Sequence, residues 1–176
     1  MKKVSQPRYI EDSEQLEAVM STPTPEVVEA MGEMAGDLLI LGVGGKMGPT
    51  LAKLAKRAID ESGSDKKVIA VSRFSSPGLQ ADLNRAGIEA IACDLLNETE
   101  SQALPDVPNV IFMAGRKFGS TGNEPLTWAM NTYMPGRVAE KYRNSRIVVF
   151  STGNVYPLTP ISHGGATEMH LSLIHI

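Results

Sequence analysis

The chain has 176 residues, 42% of them hydrophobic, and a formal net charge of -3 at pH 7. This length supports one substantial hydrophobic core but leaves little room for a second full domain. The charge balance argues against a nucleic-acid partner, so we expect any phosphate-bearing partner to be a small molecule. No apolar run approaches the length of a membrane span, so we expect no membrane partner. The single cysteine, Cys93, cannot form an internal disulfide, which fits the cytoplasm.

Residues 1–36 are predicted to form a short helical extension that precedes the first strand. Asp12 or Ser13 can cap a first helix, and Thr24 followed by Pro25 starts a second one. No motif in this segment carries chemistry. We expect the extension to pack against the main domain or against a second subunit.

The stretch 38–59 is the central feature of the sequence. Residues 38–41 form an apolar run typical of a strand buried on both faces, and apolar residues from 51 onwards recur at the spacing of one helix face. Clustered glycines lie between these two segments. Glycine allows a tight turn and lets backbone N–H groups approach a diphosphate at the positive end of a helix. The pattern predicts a strand, a phosphate-binding loop and a helix.

The rest of the chain alternates between short β-branched runs and helical segments. The runs predict four further strands at 68–71, 88–93, 110–113 and 146–150. Helices are expected at 79–86, 97–104 and 125–142, the last one bent or interrupted near Pro135 and Gly136. Alternation of this kind predicts an α/β fold with a doubly wound parallel sheet, in which ligands bind at the carboxyl ends of the strands.

The spacing of the glycines distinguishes among the known nucleotide-binding motifs. The pattern G-x-G-x-x-G fails because Met47 stands in the third glycine position, and the same residue excludes a P-loop, which needs Ser or Thr there. The spacing Gly42-x-x-Gly45-x-x-Gly48 resembles the fingerprint of extended short-chain dehydrogenases, the family of NAD-dependent epimerases and dehydratases. The alternative is a plain tight turn. The expected cofactor contacts in this loop are Gly42, Gly44, Gly45, Lys46, Met47 and Gly48.

This resemblance implies a Rossmann-type fold over residues 37–169 and an NAD or NADP cofactor. In NAD-binding relatives an Asp or Glu after the second strand binds the ribose hydroxyls, but this chain has Ser72 and Arg73 there. Without a carboxylate, a 2′-phosphate meets no repulsion, and Arg73 can form charge-assisted hydrogen bonds with it. We therefore expect NADP rather than NAD. The alternative is an Arg73 that is simply solvated.

The resemblance also implies roles for residues after the third and fourth strands. Asp94 corresponds to the family's acidic contact with the adenine amino group, and Leu95 to a residue beside the ring. Ala114 and Gly115 correspond to a segment that stays small so that the cofactor can lie close. Asn131 corresponds to an asparagine of the following helix, with a capped helix bend as the alternative.

The segment 148–156, VVFSTGNVY, resembles the family's S-[ST]-x-x-V-Y signature. By this match Thr152 is the catalytic hydroxyl that hydrogen-bonds the oxygen of the substrate. Dehydratase members carry acidic residues directly after it, whereas this chain has Gly153 and Asn154, which argues against dehydration. The family's Tyr-x-x-x-Lys pair, which handles the proton, is missing: the four tyrosines are followed at the fourth position by Ser13, Arg137, Arg146 and Pro160.

Residues 170–176 do not resemble the family and look like translated adapter sequence, so we expect a non-native tail on a truncated fragment whose sheet is incomplete at its C-terminal end. The implied parent is an NAD(P)-dependent oxidoreductase or epimerase with a small, sugar-like substrate, and the family allows a homodimer. The fragment itself is expected to bind cofactor with negligible turnover. The alternative is a non-catalytic dinucleotide-binding sensor or partner-binding subunit. The three histidines form no ligand framework, so we expect no metal site.

Overall fold

The computed structural model describes residues 9–116, 119, 121–153, 156–167 and 169–170. These residues form a five-stranded parallel sheet with helices on both faces. Its strands are β1 (Leu38–Leu41), β2 (Val68–Ser72), β3 (Glu89–Ala92), β4 (Asn109–Phe112) and β5 (Arg146–Val149). Their spatial order is β3-β2-β1-β4-β5, so the chain winds outwards from β1 in both directions. This order confirms the predicted α/β fold with a doubly wound, Rossmann-type parallel sheet.

The helices connect the strands and cover the sheet. They are α1 (Ser13–Met20), α2 (Pro25–Glu33), α3 (Gly48–Glu61), α4 (Leu79–Arg85), α5 (Glu98–Gln102), α6 (Glu124–Trp128) and α7 (Met134–Lys141). A π-helical turn (Ala129–Tyr133) joins α6 to α7, and a 3₁₀ turn follows at Ile161–His163. The predicted caps form: Asp12 accepts a hydrogen bond from the N–H of Gln15, and Thr24 accepts one from Val27. In the part of the chain that the structure describes, no helix has both the length and the apolar character that crossing a membrane requires.

Two apolar layers cover the centre of the sheet because successive strand residues point to opposite faces. Leu39 and Leu41 face the layer that contains α7, whereas Leu38 and Ile40 face the layer that contains α3 and α4. All four side chains of β1 are buried. Burying a side chain of this size contributes about 1.5–3 kcal/mol, so the central strand is anchored from both sides. The carboxyl end of β1 is thereby held in a fixed position between the two apolar layers.

The two N-terminal helices lie against the α3 side of the sheet. Met31 and Met34 pack on that apolar layer. The Nζ of Lys66 donates to the carbonyls of Met31 and Gly32 at 2.6 and 2.7 Å, which ties the end of α2 to the segment before β2. The division into an extension at 1–36, a domain at 37–169 and a tail at 170–176 stays a prediction.

The helix expected at 125–142 is interrupted, but earlier than the predicted bend. In the π-helical turn the N–H of Met134 donates to the carbonyl of Ala129, five residues before it. Pro135 then occupies the second position of α7, where its missing N–H leaves no intrahelical hydrogen bond unmade. The change of register therefore precedes the proline and lets the helix continue beyond it.

Candidate functional site

The candidate site begins where β1 ends and the chain turns towards α3. Gly42 has a φ of +92°, and its N–H and that of Val43 donate to the carbonyl of Val71 on the neighbouring strand at 2.9 and 3.1 Å. A Cβ at position 42 would lie only 2.6 Å from the nitrogen and 2.8 Å from the Cβ of Ala114, which follows β4. Position 42 therefore requires glycine for both its backbone conformation and the space available.

The other glycines of the loop differ in how strongly the fold needs them. At Gly48 a Cβ would overlap the backbone of Val43, and at Gly44 it would overlap the hydroxyl of Ser72 after β2. At Gly45 the nearest atom would be the carbonyl oxygen of Gly42, at an ordinary contact distance of 3.8 Å. Because Gly45 is exposed and the fold does not need it, its small size keeps the surface of the loop open to a ligand.

The first turn of α3 faces this loop. Its cap residue, Met47, makes no side-chain capping hydrogen bond, and the first turn has no acidic residue of its own. Lys46 and Met47 are exposed. An N-terminus of this kind carries N–H groups and the positive end of the helix dipole, which suit an anion. The geometry of the whole loop therefore fits a diphosphate.

The segment after β2 contains the predicted determinants of cofactor choice. Ser72 is half-buried, and its hydroxyl accepts a hydrogen bond from the N–H of Phe74 at 3.4 Å. Phe74 has a φ of +47°, a strained value for a side chain of this size, and its ring packs on the α3 layer. Arg73 is exposed, and no carboxylate pairs with it among the described residues.

After β3 the predicted adenine contacts have different environments. Asp94 is half-buried, and its Oδ1 accepts a hydrogen bond from the N–H of Leu96 at 3.0 Å. The N–H of Asp94 donates to the carboxylate of Glu100 at 2.8 Å, so both the backbone and the side chain of Asp94 stabilise the turn between β3 and α5. Leu95 is 8% exposed and packs in the core, where its side chain offers little surface to a ring. Both contacts with adenine stay predictions.

After β4 the small-residue segment meets the π-helical turn. The Oδ1 of Asn131 accepts a hydrogen bond from the N–H of Arg116 at 2.7 Å, and its Nδ2 donates to the Arg116 carbonyl at 2.8 Å. A Cβ at Gly115 would lie 3.5 Å from the same Oδ1. Asn131 therefore fixes the loop that follows Ala114. Sequence reasoning missed Arg116, for which the only available signal was a cation directly after the small residues.

After β5 lies Thr152. The pairing of Phe112 with Val149 and a hydrogen bond of 2.8 Å from the N–H of Phe150 to the Phe112 carbonyl bring this segment beside the loop after β4. Thr152 is exposed, and Tyr156 is half-buried. Two positions of the signature, 154 and 155, lie outside the described residues.

Tyr142 does not present its phenol to this edge. It is buried, and its hydroxyl donates to the carbonyl of Pro105 at 3.2 Å. Burial raises the pKa of Tyr142 well above its usual range, with a further contribution from Asp106. We therefore assign Tyr142 to the core.

The predicted residues gather at the carboxyl edge of the sheet to different degrees. Direct packing joins Gly42 to Ala114 and Gly44 to Ser72. Arg73, Asp94 and Thr152 each follow a strand at this edge. The roles of all the predicted site residues towards a cofactor or substrate stay predictions.

The sequence matches no protein-family model and no curated protein. Among solved structures it is similar to the ADP-L-glycero-D-manno-heptose-6-epimerase of Helicobacter pylori, with a TM-score of 0.57 and 21% identity. The similarity covers 88% of this chain and 45% of the epimerase chain. The present chain thus corresponds to less than half of that protein. At this level of identity the likeness shows a shared fold, the Rossmann-type arrangement of strands and helices.

Proposed function

We propose that this chain is the cofactor-binding part of an NAD(P)-dependent oxidoreductase or epimerase of the extended short-chain dehydrogenase type. Its substrate is a small, sugar-like molecule, and it acts in the cytoplasm. The observation that carries the proposal is the loop between β1 and α3, where Gly42 packs against Ala114 and Gly45 leaves an open surface in front of the helix. The likeness in fold to a solved epimerase supports the same reading.

The residues present fit a dinucleotide laid across the carboxyl edge. The diphosphate would meet the N-terminus of α3, where no side chain caps the helix. Ala114 and Gly115 would leave room for the cofactor beside β4. At the other end, the exposed Arg73 and the lack of a carboxylate after β2 favour a 2′-phosphate. NADP is therefore the proposed cofactor, with NAD as the alternative.

When bound, the cofactor supplies hydride exchange at its nicotinamide ring. The chain's own contribution is to hold the cofactor and to orient the substrate. Thr152, in the loop after β5, would donate a hydrogen bond to the substrate oxygen and so place the reacting carbon near the ring. None of the tyrosines in the printed sequence has a lysine four residues later, so the proposed turnover needs a proton-transfer pair from further chain.

Cofactor titration of the 176-residue chain tests this proposal. We expect NADPH fluorescence to change saturably on binding, and we expect Gly45→Ala to weaken the affinity at least about tenfold because a methyl group would cover the approach to the loop. Gly45→Ala should unfold at the same urea concentration as wild type, since the fold has room for the added carbon. Absence of saturable binding of either NADPH or NADH, or full affinity in Gly45→Ala, would contradict the proposal.

A non-catalytic dinucleotide sensor or partner-binding subunit is the second candidate. The lack of Tyr-x-x-x-Lys in the printed sequence favours it. The two candidates share the cofactor site and differ in the coding sequence beyond His170. Continuation of the reading frame into Tyr-x-x-x-Lys would support the enzyme, whereas a genuine stop codon would support the sensor.

A further inference from the structure

Arg116 is a cation held at the carboxyl edge of the sheet, directly after the small residues that follow β4. Asn131 hydrogen-bonds both the N–H and the carbonyl of Arg116, so the point from which this side chain extends is fixed. A fixed backbone reduces the conformational freedom that binding must remove. The loop therefore presents the guanidinium from a prepared position.

The guanidinium has unused hydrogen-bonding capacity. Its Nη2 donates to the carbonyl of Gly119 at 2.5 Å, whereas its Nε is buried and has no hydrogen-bond partner in the described part of the chain. Among the same residues no carboxylate forms an ion pair with it, although five other cations have one: Lys53, Lys56, Lys67, Arg85 and Lys141. A buried donor without an acceptor costs free energy, which an acceptor from a bound ligand would recover.

The sheet topology places Arg116 between two parts of the proposed site. β4 lies between β1, which leads into the glycine loop, and β5, which leads to Thr152. The diphosphate of the cofactor has the N-terminus of α3 as its partner, and its 2′-phosphate has Arg73. Arg116, which follows β4, is therefore available to bind the substrate, the molecule that meets the nicotinamide end of the cofactor.

We infer that Arg116 binds a phosphate or carboxylate of the substrate. This inference rests on the proposed function and narrows the substrate class to anionic, sugar-like molecules such as sugar phosphates or acidic sugars. Phosphate and carboxylate each present two oxygens that can accept the paired, parallel N–H groups of a guanidinium. The Nε–H and the Nη2–H beside it form the paired edge of the guanidinium, and Nη2 carries a second hydrogen for the Gly119 carbonyl.

Inorganic phosphate is the probe that tests the inference in the 176-residue chain. The readouts are the Nε–H resonance of Arg116 and the backbone amide resonances of Gly115 and Gly119 in 1H–15N spectra. We expect these signals to shift saturably with phosphate, both without NADPH and with saturating NADPH. Arg116→Gln should weaken phosphate binding at least about tenfold, and Arg116→Lys should also weaken it because the ammonium lacks the fork. Arg143→Gln, which removes an exposed arginine after α7, should leave the affinity unchanged.

The possible results separate this inference from the function on which it rests. Equal phosphate affinity in wild type and Arg116→Gln would overturn the inference. Loss of the phosphate shifts when NADPH binds would also overturn it, because the phosphate would then occupy the cofactor site. NADPH affinity within about twofold of wild type in Arg116→Gln supports the assignment to the substrate. If the chain binds phosphate at Arg116 but binds no NADPH, anion binding by Arg116 is supported and the dinucleotide function is refuted.

Discussion

The side-chain amide of Asn131 bonds both the N–H and the carbonyl of Arg116, at 2.7 and 2.8 Å, and so joins the π-helical turn to the loop after β4. Each hydrogen bond contributes about 0.5–1.5 kcal/mol, so we expect Asn131→Ala to lower the free energy of unfolding by about 1–2 kcal/mol. Urea denaturation measures this difference. Thr132→Ala, an exposed change in the same turn, is the control and should stay within about 0.5 kcal/mol of wild type. Equal effects of the two substitutions would contradict the stabilising role of Asn131.

Two glycines in helices should respond to alanine in opposite directions. At Gly48 the added carbon would overlap the backbone of Val43, so we expect Gly48→Ala to lower the free energy of unfolding by about 3 kcal/mol. At Gly136, in α7, the added carbon would meet no described atom within 4 Å other than its chain neighbours and the backbone of its own helix, so alanine should raise the free energy of unfolding by about 0.5–1 kcal/mol. Thermal unfolding of both variants compares them directly. A Gly48→Ala protein as stable as wild type would show that α3 does not need to pack closely against β1.

The sequence predicted the parts of this fold that arise from local patterns. Short apolar or β-branched runs located all five strands to within one or two residues. Burial accounts for this at β1, β2 and β4, because buried parallel strands carry few polar side chains, whereas β3 and β5 are largely exposed and were located by their β-branched and apolar composition. The glycine spacing predicted the turn into α3, because the positive φ at position 42 is a local requirement that glycine meets without strain.

Contacts between distant residues could not be predicted in the same way. The hydrogen bond of 2.8 Å from Thr50 to Glu17 joins α3 to α1 across 33 positions of sequence, and no periodicity indicates it. The clamp of Asn131 on Arg116 depends on the π-helical turn, which moves the interruption of the helix ahead of Pro135. Both features arise from packing of the folded chain.

Arg73 should determine the choice between the two nicotinamide cofactors. If its guanidinium binds the 2′-phosphate, Arg73→Ala removes a charge-assisted interaction of about 1.5–3 kcal/mol, which corresponds to roughly a tenfold to hundredfold loss of NADPH affinity. NADH lacks this phosphate, so its affinity should change little. Fluorescence titration with both cofactors on wild type and Arg73→Ala measures the two effects. An unchanged ratio of affinities would refute NADP as the preferred cofactor.

The ion pairs of Lys53 should make stability depend on pH. Lys53 Nζ lies 2.8 Å from Asp82 Oδ2 and 3.4 Å from Glu17 Oε1, which links α3 to α4 and α1. The hydrogen bond with Lys53 lowers the pKa of Asp82, and the same bond raises the pKa of Lys53, in each case against a smaller opposing effect of burial. Both shifts favour the charged pair in the folded chain.

The sign of each shift sets the pH range. Because the pKa of Asp82 is lowered on folding, its contribution is present above the unfolded value of about 3.9 and is lost as the pH falls through the lower folded value. The raised pKa of Lys53 keeps its contribution below about pH 10 and loses it at higher pH. We expect Asp82→Asn to cost at most about 1 kcal/mol between about pH 5 and pH 9, since Asp82 is well exposed, and progressively less outside that range. A constant difference in the free energy of unfolding from pH 2 to pH 7 would rule out this ion pair as its source.

Cys93 should be inert towards alkylation while the chain is folded. It is 4% exposed, and burial raises the pKa of its thiol to about 11, with Glu100 and Asp94 adding to the shift. The thiolate is the reactive form, and the ordinary pKa of a cysteine thiol is about 8.5. At pH 8 the fraction of Cys93 that is present as thiolate is therefore roughly a hundredfold smaller in the folded chain than in the unfolded chain. We expect iodoacetamide to react at least about a hundredfold more slowly in buffer than in urea, as followed by mass spectrometry of this single-cysteine chain. Comparable rates in the two conditions would mean that the edge of the sheet next to Asp94 opens readily in the folded chain. The predicted contact of Asp94 with adenine would then lack a stably folded site.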